Sequence, residues 1–188
     1  MIILGIDPGY GKCGWAILAK GEKHKLLTNN YKLSEIEKSN LRVRSSKLEV
    51  SLVVCDCIET DPKKDLPDRL KEIYDAIEYI IKKYQPTELA IESLFFFKNQ
   101  KTVMQVSQAR GVIIVAAKNH DLSVSEYTPL QVKQAVIGYG RGDKEQIQKM
   151  IKLHLCGQEM PKQDDTADAV AVALTHLQTS KFQKTNTK

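Results

Sequence analysis

The sequence predicts an α/β fold: a five-stranded mixed sheet flanked by helices on both faces. Three observations lead there. Short apolar and β-branched runs open the chain, and helical periods then alternate with two further short strands. Strands joined through helices run parallel, which puts helices over the faces of the sheet.

The elements follow in order. Ile2 to Ile6 is an apolar run that stops at Asp7-Pro8-Gly9, a buried strand followed by a turn. Trp15 to Ala19 reads as its hairpin partner, with Gly9, Gly11 and Gly14 making the connection. Leu48 to Ile58 is rich in β-branched residues and gives a third strand. From Asp65 to Tyr84 the period changes: Leu66, Leu70, Ile73, Ile77, Ile80, Ile81 and Tyr84 recur at helical spacing, with Pro67 in the first turn and Pro86 just past the end. Glu88 to Glu92 is a short apolar strand ending in an acid. Asn99 to Asn119 is helical, and its small residues Ala109, Gly111, Ala116 and Ala117 imply a close neighbour. Leu122 to Tyr127 is the fifth strand, followed by a short helix from Pro129 to Ile137 and the stretch Gly138-Tyr139-Gly140-Arg141-Gly142. Asp143 with Gln146 forms a capping-box pattern that opens a helix to Leu155, and a last helix runs from about Asp164 to Gln178. One domain over 1–180 is expected, with an inserted arm at about 24–50 and a polar tail at 181–188 that is expected to be disordered.

At 188 residues the chain can bury one full core. Its net charge of +5 points weakly to a polyanionic partner, and the distribution adds to this. Lys133, Arg141, Lys144, Lys149 and Lys152 face only Asp143 and Glu145 in the stretch from Thr128 to Lys152. Basic stretches of this kind suit a phosphate backbone as well as plain solvent. Cys13, Cys55, Cys57 and Cys156 lack zinc-site spacing. The opening apolar run is broken by Asp7, and no run approaches the roughly 20 residues of a membrane span. A reduced, cytoplasmic setting is expected.

The acids carry the chemistry. Asp7 ends the run Ile-Ile-Leu-Gly-Ile, and Glu92 ends Leu-Ala-Ile. Strands this apolar belong at the centre of a sheet, where an unpaired carboxylate is costly. If the two are neighbours, their chains sit roughly 5 Å apart. Two charges at that distance repel by about 3 kcal/mol at an effective dielectric near 20. No arginine stands close in sequence to either acid, so a cation is the expected remedy. Asp164-Asp165-Thr166-Ala167-Asp168 supplies further acids at the start of the last helix, where both Asp165/Asp168 and Asp164/Asp168 share a face. Ala167, Ala169, Ala171 and Ala173 thin that helix for a close approach to the sheet. Oxygen-only ligands suit Mg²⁺, with Mn²⁺ as substitute. Four carboxylates can hold two such ions about 3.5–4 Å apart, as in metal-assisted phosphodiester hydrolysis. Taken singly, each acid has a structural explanation: Asp-Pro-Gly is a common turn, Glu92 a strand end, Asp164 and Asp165 a helix cap. One shared site accounts for all of them at once.

Ile-Leu-Gly-Ile-Asp-Pro-Gly at the start, Leu-Ala-Ile-Glu-Ser-Leu-Phe from Leu89, Gln-Ala-Arg-Gly from Gln108, Gln-Val-Lys-Gln from Gln131 and Asp-Asp-Thr-Ala-Asp-Ala from Asp164 resemble the RuvC family of Holliday junction resolvases. The resemblance covers residues 1 to about 20 and about 51 to 179. It implies a ribonuclease H-like fold, a homodimer with part of its interface near Gly111, and Mg²⁺-dependent paired nicking of four-way junction DNA in recombination and repair. A RuvAB-type branch-migration complex is the partner it suggests. It implies Asp7, Glu92, Asp165 and Asp168 as catalytic and metal-binding acids, and so selects Asp165 over Asp164. Phe95, Lys133 and Lys144 match family positions expected to meet DNA, Phe95 near the junction centre. The arm from about His24 to Val50 departs from the pattern. Rival readings are another ribonuclease H-like nuclease acting on RNA, and a non-catalytic structure-selective DNA-binding protein. An actin-like or sugar-kinase ATPase would need two such domains and a longer chain.

Overall fold

An apolar run with no charge until its last residue belongs inside a sheet, and Ile2–Asp7 (β1) is the central strand of five. In this computed structural model the described residues are 1–21, 50–94, 102–138, 142–155 and 164–185. The strand order is β3-β2-β1-β4-β5, where β2 is Lys12–Lys20, β3 Val50–Glu59, β4 Glu88–Glu92 and β5 Ser123–Tyr127. β1 pairs antiparallel with β2, which pairs antiparallel with β3 across a register shift between Ile17 and Leu18. β1 pairs parallel with β4, and β4 with β5. Both expected crossovers are therefore present. The expected inserted arm at 24–50 lies, except for Val50, outside the described residues.

The two-residue period of a strand sends alternate side chains to opposite faces. Leu4, Ile6, Leu89 and Ile91 pack on one face with Ile73, Ile77, Ile113 and Ala116, from α1 (Leu66–Tyr84) and α2 (Val103–Lys118). Ile3, Ala16 and Ala90 pack on the other, with α3 (Pro129–Ile137), α4 (Lys144–His154) and α5 (Asp164–Thr185). Helix starts follow their caps. The Asp65 side chain accepts from the Asp68 amide with Pro67 in the first turn, and Thr128–Gln131 and Asp143–Gln146 are complete capping boxes. Among the described residues no helix is long and apolar enough to cross a membrane.

Two expectations change. The last helix does not stop at Gln178: the backbone stays helical to Thr185, five residues into the expected polar tail. No glycine or proline interrupts Ser180 to Thr185, and lysine and glutamine extend a helix readily. Gly14 is not part of the turn but lies inside β2, opposite Asp7. Its purpose is close approach. A Cβ at Gly14 would collide with the Asp165 carbonyl, and one at Gly5 would overlap the Ala169 carbonyl oxygen and stand 2.6 Å from the Ala173 Cβ. With no side chain at either position, α5 lies directly on β1 and β2.

Gly5→Ala should therefore cost about 1–3 kcal/mol, the usual range for overpacking a filled core. Urea unfolding measures it. An unchanged midpoint would mean that α5 can lift off the sheet without loss.

Candidate active site

Asp7 and Glu92 meet because of strand register. Ile6 pairs with Ile91 in the parallel β1–β4 ladder, so the next residue on each strand lies at the same level. Alternation sends both carboxyls to the α5 face, the side on which Ala90 packs and where Gly5 and Gly14 leave room. The two carboxyls are hydrogen-bonded to each other, a contact between acids that requires one proton shared between them. α5 brings the other acids. Because the Asp165 backbone rests on Gly14, the first turn of α5 lies beside the carboxyl end of β1. Asp165 and Asp168 are half-buried there, whereas Asp164 is exposed.

The electrostatics record this gathering. Burial, and then the charges of Glu92, Asp168 and Asp165, push the Asp7 carboxyl from 3.8 up to about 8. Glu92 is raised too, by burial and then by Asp168, while the hydrogen bond from Asp7 and the nearby Lys133 ammonium pull it back. Among the described residues no three potential ligands form a closed metal-binding group. The acids are an open cluster in which Asp7 and Glu92 are in contact. The donor set is all oxygen.

The other expected site residues divide. Lys133, half-buried on α3, comes within electrostatic reach of Glu92. Lys144 is the first residue of α4, beyond the Asp143 cap. Phe95 lies outside the described residues.

One bracing element escapes a reading of the sequence. His176 of α5 is buried and bonded on both ring nitrogens, Nδ1 to the Tyr127 hydroxyl at 2.7 Å and Nε2 to Glu88 at 2.5 Å. The chain ties α5 to β4 and β5, the strands that carry Glu92 and end at Tyr127. Its members are 49 and 88 residues apart in sequence, and a histidine in an alanine-rich helix was the only local sign.

A raised carboxyl pKa has a definite consequence for stability. Between pH 3.8 and about 8 the folded protein keeps a proton on Asp7 that the unfolded chain releases. That contribution is fully present below pH 3.8 and is lost as pH rises through 8. In EDTA, Asp7→Asn should melt above the wild type at pH 8.5 by at least about 2–4 °C, the shift expected per kcal/mol for a domain this size. The gap should narrow toward pH 5. A gap that stays constant across this range would mean that Asp7 ionises like a surface acid.

Comparison with known proteins agrees with this architecture. The family model described as crossover junction endodeoxyribonuclease RuvC matches residues 39–176. A crossover junction endodeoxyribonuclease RuvC from Finegoldia magna is 46% identical over 186 residues, 99% of this chain and 98% of that protein. The solved Thermus thermophilus RuvC superposes with a TM-score of 0.78 at 27% identity, covering 97% of each chain. The same protein in complex with a Holliday junction substrate gives 0.78 at 26% identity, covering 97% of this chain and 96% of that one. The five-stranded mixed sheet with helices on both faces is thus the ribonuclease H-like fold. With a buried acid pair at the end of its central strands and a relative this similar along its whole length, the chain belongs to the RuvC family of crossover junction endodeoxyribonucleases.

Proposed function

We infer that this protein is a structure-selective endonuclease that resolves Holliday junctions in DNA recombination and repair by paired, metal-dependent hydrolytic nicks. The observation that carries the reading is the acid pair. Asp7 and Glu92 sit in contact at the carboxyl ends of adjacent apolar strands, with Asp165 and Asp168 close enough to raise the Asp7 pKa. A fold that keeps four acids together against their repulsion is suited to a function that needs them together. The DNA substrate follows from family membership and from the Thermus thermophilus relative, solved with a Holliday junction.

The residues present fit a divalent cation. Asp7 and Glu92 share a proton that a cation would replace, and their donors are hard oxygens. Asp7, Glu92, Asp165 and Asp168 are the proposed ligands for Mg²⁺ or Mn²⁺, two ions per site. Such ions supply charge neutralisation, a reactive water and stabilisation of the leaving oxygen. The protein's part is to hold the ligands. Register fixes Asp7 against Glu92, Gly14 sets the height of Asp165, and the helical period carries Asp168 around to the same side. Lys133, already close enough to act on Glu92, is placed to meet the negative charge of a backbone phosphate. Lys144 and Phe95 are proposed as further DNA contacts, Lys144 to phosphate and Phe95 by stacking on bases.

Two symmetric cuts call for two sites, so a homodimer is part of the proposal. On α2, Met104, Gly111 and Val115 are exposed along one side, an apolar strip suited to a second copy. A cytoplasmic setting and a RuvAB-type branch-migration partner complete the reading.

Asp7→Asn should bind a synthetic four-way junction about as tightly as the wild type and lose cleavage in Mg²⁺ by at least about 100-fold. Gel-resolved cleavage of junction, linear duplex and RNA–DNA hybrid, beside binding in EDTA, checks both halves. Mutant cleavage at the wild-type rate would remove Asp7 from the site. Wild-type cleavage of duplex or hybrid as fast as junction would replace the resolvase reading with a general nuclease.

A further inference from the structure

The turn after Asp7 is gripped from the face opposite α5. Thr60, buried just beyond the end of β3, donates its amide to the Gly11 carbonyl at 3.1 Å and its hydroxyl to the Tyr10 carbonyl at 2.7 Å. The same hydroxyl accepts from Arg69 Nε at 2.8 Å. The Arg69 guanidinium lies over the Tyr10 ring, 4.5 Å from its centroid. Its Nη2 stands 3.2 Å from where a Cβ on Gly11 would be, so any side chain at that position would crowd it.

This guanidinium differs from the other cations near the turn. Lys12 pairs with Glu59 at 3.0 Å, and Lys64 pairs with Glu72. Arg69 forms no ion pair with any acid among the described residues, and its one side-chain hydrogen bond uses Nε. Among the described residues the four N–H donors on its two terminal nitrogens meet no acceptor. They sit on a half-buried, aromatic-backed and hydrogen-bonded group whose orientation is fixed before any ligand arrives. Tyr10, which it covers, is three residues from Asp7 in sequence, and α1 starts at the edge of the sheet where β1, β3 and β4 end.

An arginine that only braced the turn would gain from a neighbouring carboxylate, which would hold it and neutralise it. None is provided. A fixed planar fork with free donors and no counter-charge is the arrangement that recognises a phosphate by two parallel hydrogen bonds. We propose that Arg69 is a preset phosphate-binding residue that grips the DNA backbone beside the Asp7 turn, on the face of the sheet opposite Lys133. This rests on the nuclease reading for its ligand, and the measurement that tests it needs no cleavage.

Junction binding is followed by fluorescence anisotropy in EDTA, from 50 to 200 mM salt, for wild type, Arg69→Gln, Arg69→Lys and Thr60→Val. Losing one phosphate contact should weaken Arg69→Gln about 5–10-fold near 100 mM salt and reduce its salt slope by roughly 0.9. Arg69→Lys keeps the charge without the fork, so the slope should return while affinity recovers only in part. Thr60→Val frees the guanidinium but keeps its charge, and should bind more weakly at the wild-type slope. Unchanged affinity and slope in Arg69→Gln overturns the proposal, as does a cleavage defect at saturation with unchanged binding, which would make Arg69 a positioning residue. If Arg69→Gln fails to melt cooperatively, Arg69→Lys and Thr60→Val decide: wild-type affinity in both overturns it. Failure of the resolvase reading would look different, as wild-type protein that cuts duplex and junction alike.

Discussion

The close approach of α5 to the central strands is the constraint on which the site depends. A helix packed on a sheet usually stands off by the thickness of two side-chain layers, about 10 Å. Here Gly5 and Gly14 remove the sheet's layer along one line, and Ala169 and Ala173 thin the helix's. The gain is positional. Asp165 and Asp168 are short side chains, and from a helix at ordinary distance their carboxylates would fall short of Asp7. The glycines belong to β1 and β2, yet what they place is the first turn of a helix some 150 residues later in the chain.

That closeness works against stability, and the fold answers it from a distance. Pressing α5 onto β1 brings Asp165 and Asp168 to an already buried acid pair, and the Asp7 carboxyl keeps its proton in response. Repulsion at the first turn tends to lift the helix off the sheet. Further along α5, the Glu88–His176–Tyr127 hydrogen bonds and the buried Val170, Val172, Leu174 and Leu177 hold it down. Each hydrogen bond of this buried kind contributes on the order of 1 kcal/mol, and each fully buried aliphatic side chain about 1.5–3 kcal/mol. The apolar length of α5 is thus large enough to carry a charged end.

These two kinds of interaction differ in how far they can be read from sequence. Strands β1 and β4 were legible because an apolar run closed by an acid leaves a local mark, and the same mark identified Asp7 and Glu92. The start of α4 was legible because its cap, Asp143 with Gln146, is local. Gly14, so near Gly9 and Gly11, looks like turn chemistry in sequence, and only the packed helix reveals what it makes room for. The end of α5 is later than its polarity suggests, because nothing in Ser180 to Thr185 opposes a helix. His176 leaves only a faint local mark, a histidine in an alanine-rich helix, since both its partners come from other elements. Spacing left Asp164 and Asp165 equivalent; burial separates them, and the contact with Gly14 gives the reason.

The direction of the strands explains why so many groups meet at one edge. β3 runs antiparallel to β2, which runs antiparallel to β1, so β1, β3, β4 and β5 all end at the same side of the sheet. Asp7, Thr60, Glu92 and Tyr127 are at or next to those ends. The helices that follow β3 and β5 begin there, capped by Asp65 and Thr128. Lys133 on α3 and Arg69 on α1 lie in or near those first turns, one on each face of the sheet. A basic side chain thus stands on each face near the edge where the acids meet, and Lys133 acts on Glu92. A polyanion is drawn to the basic rim of such an edge.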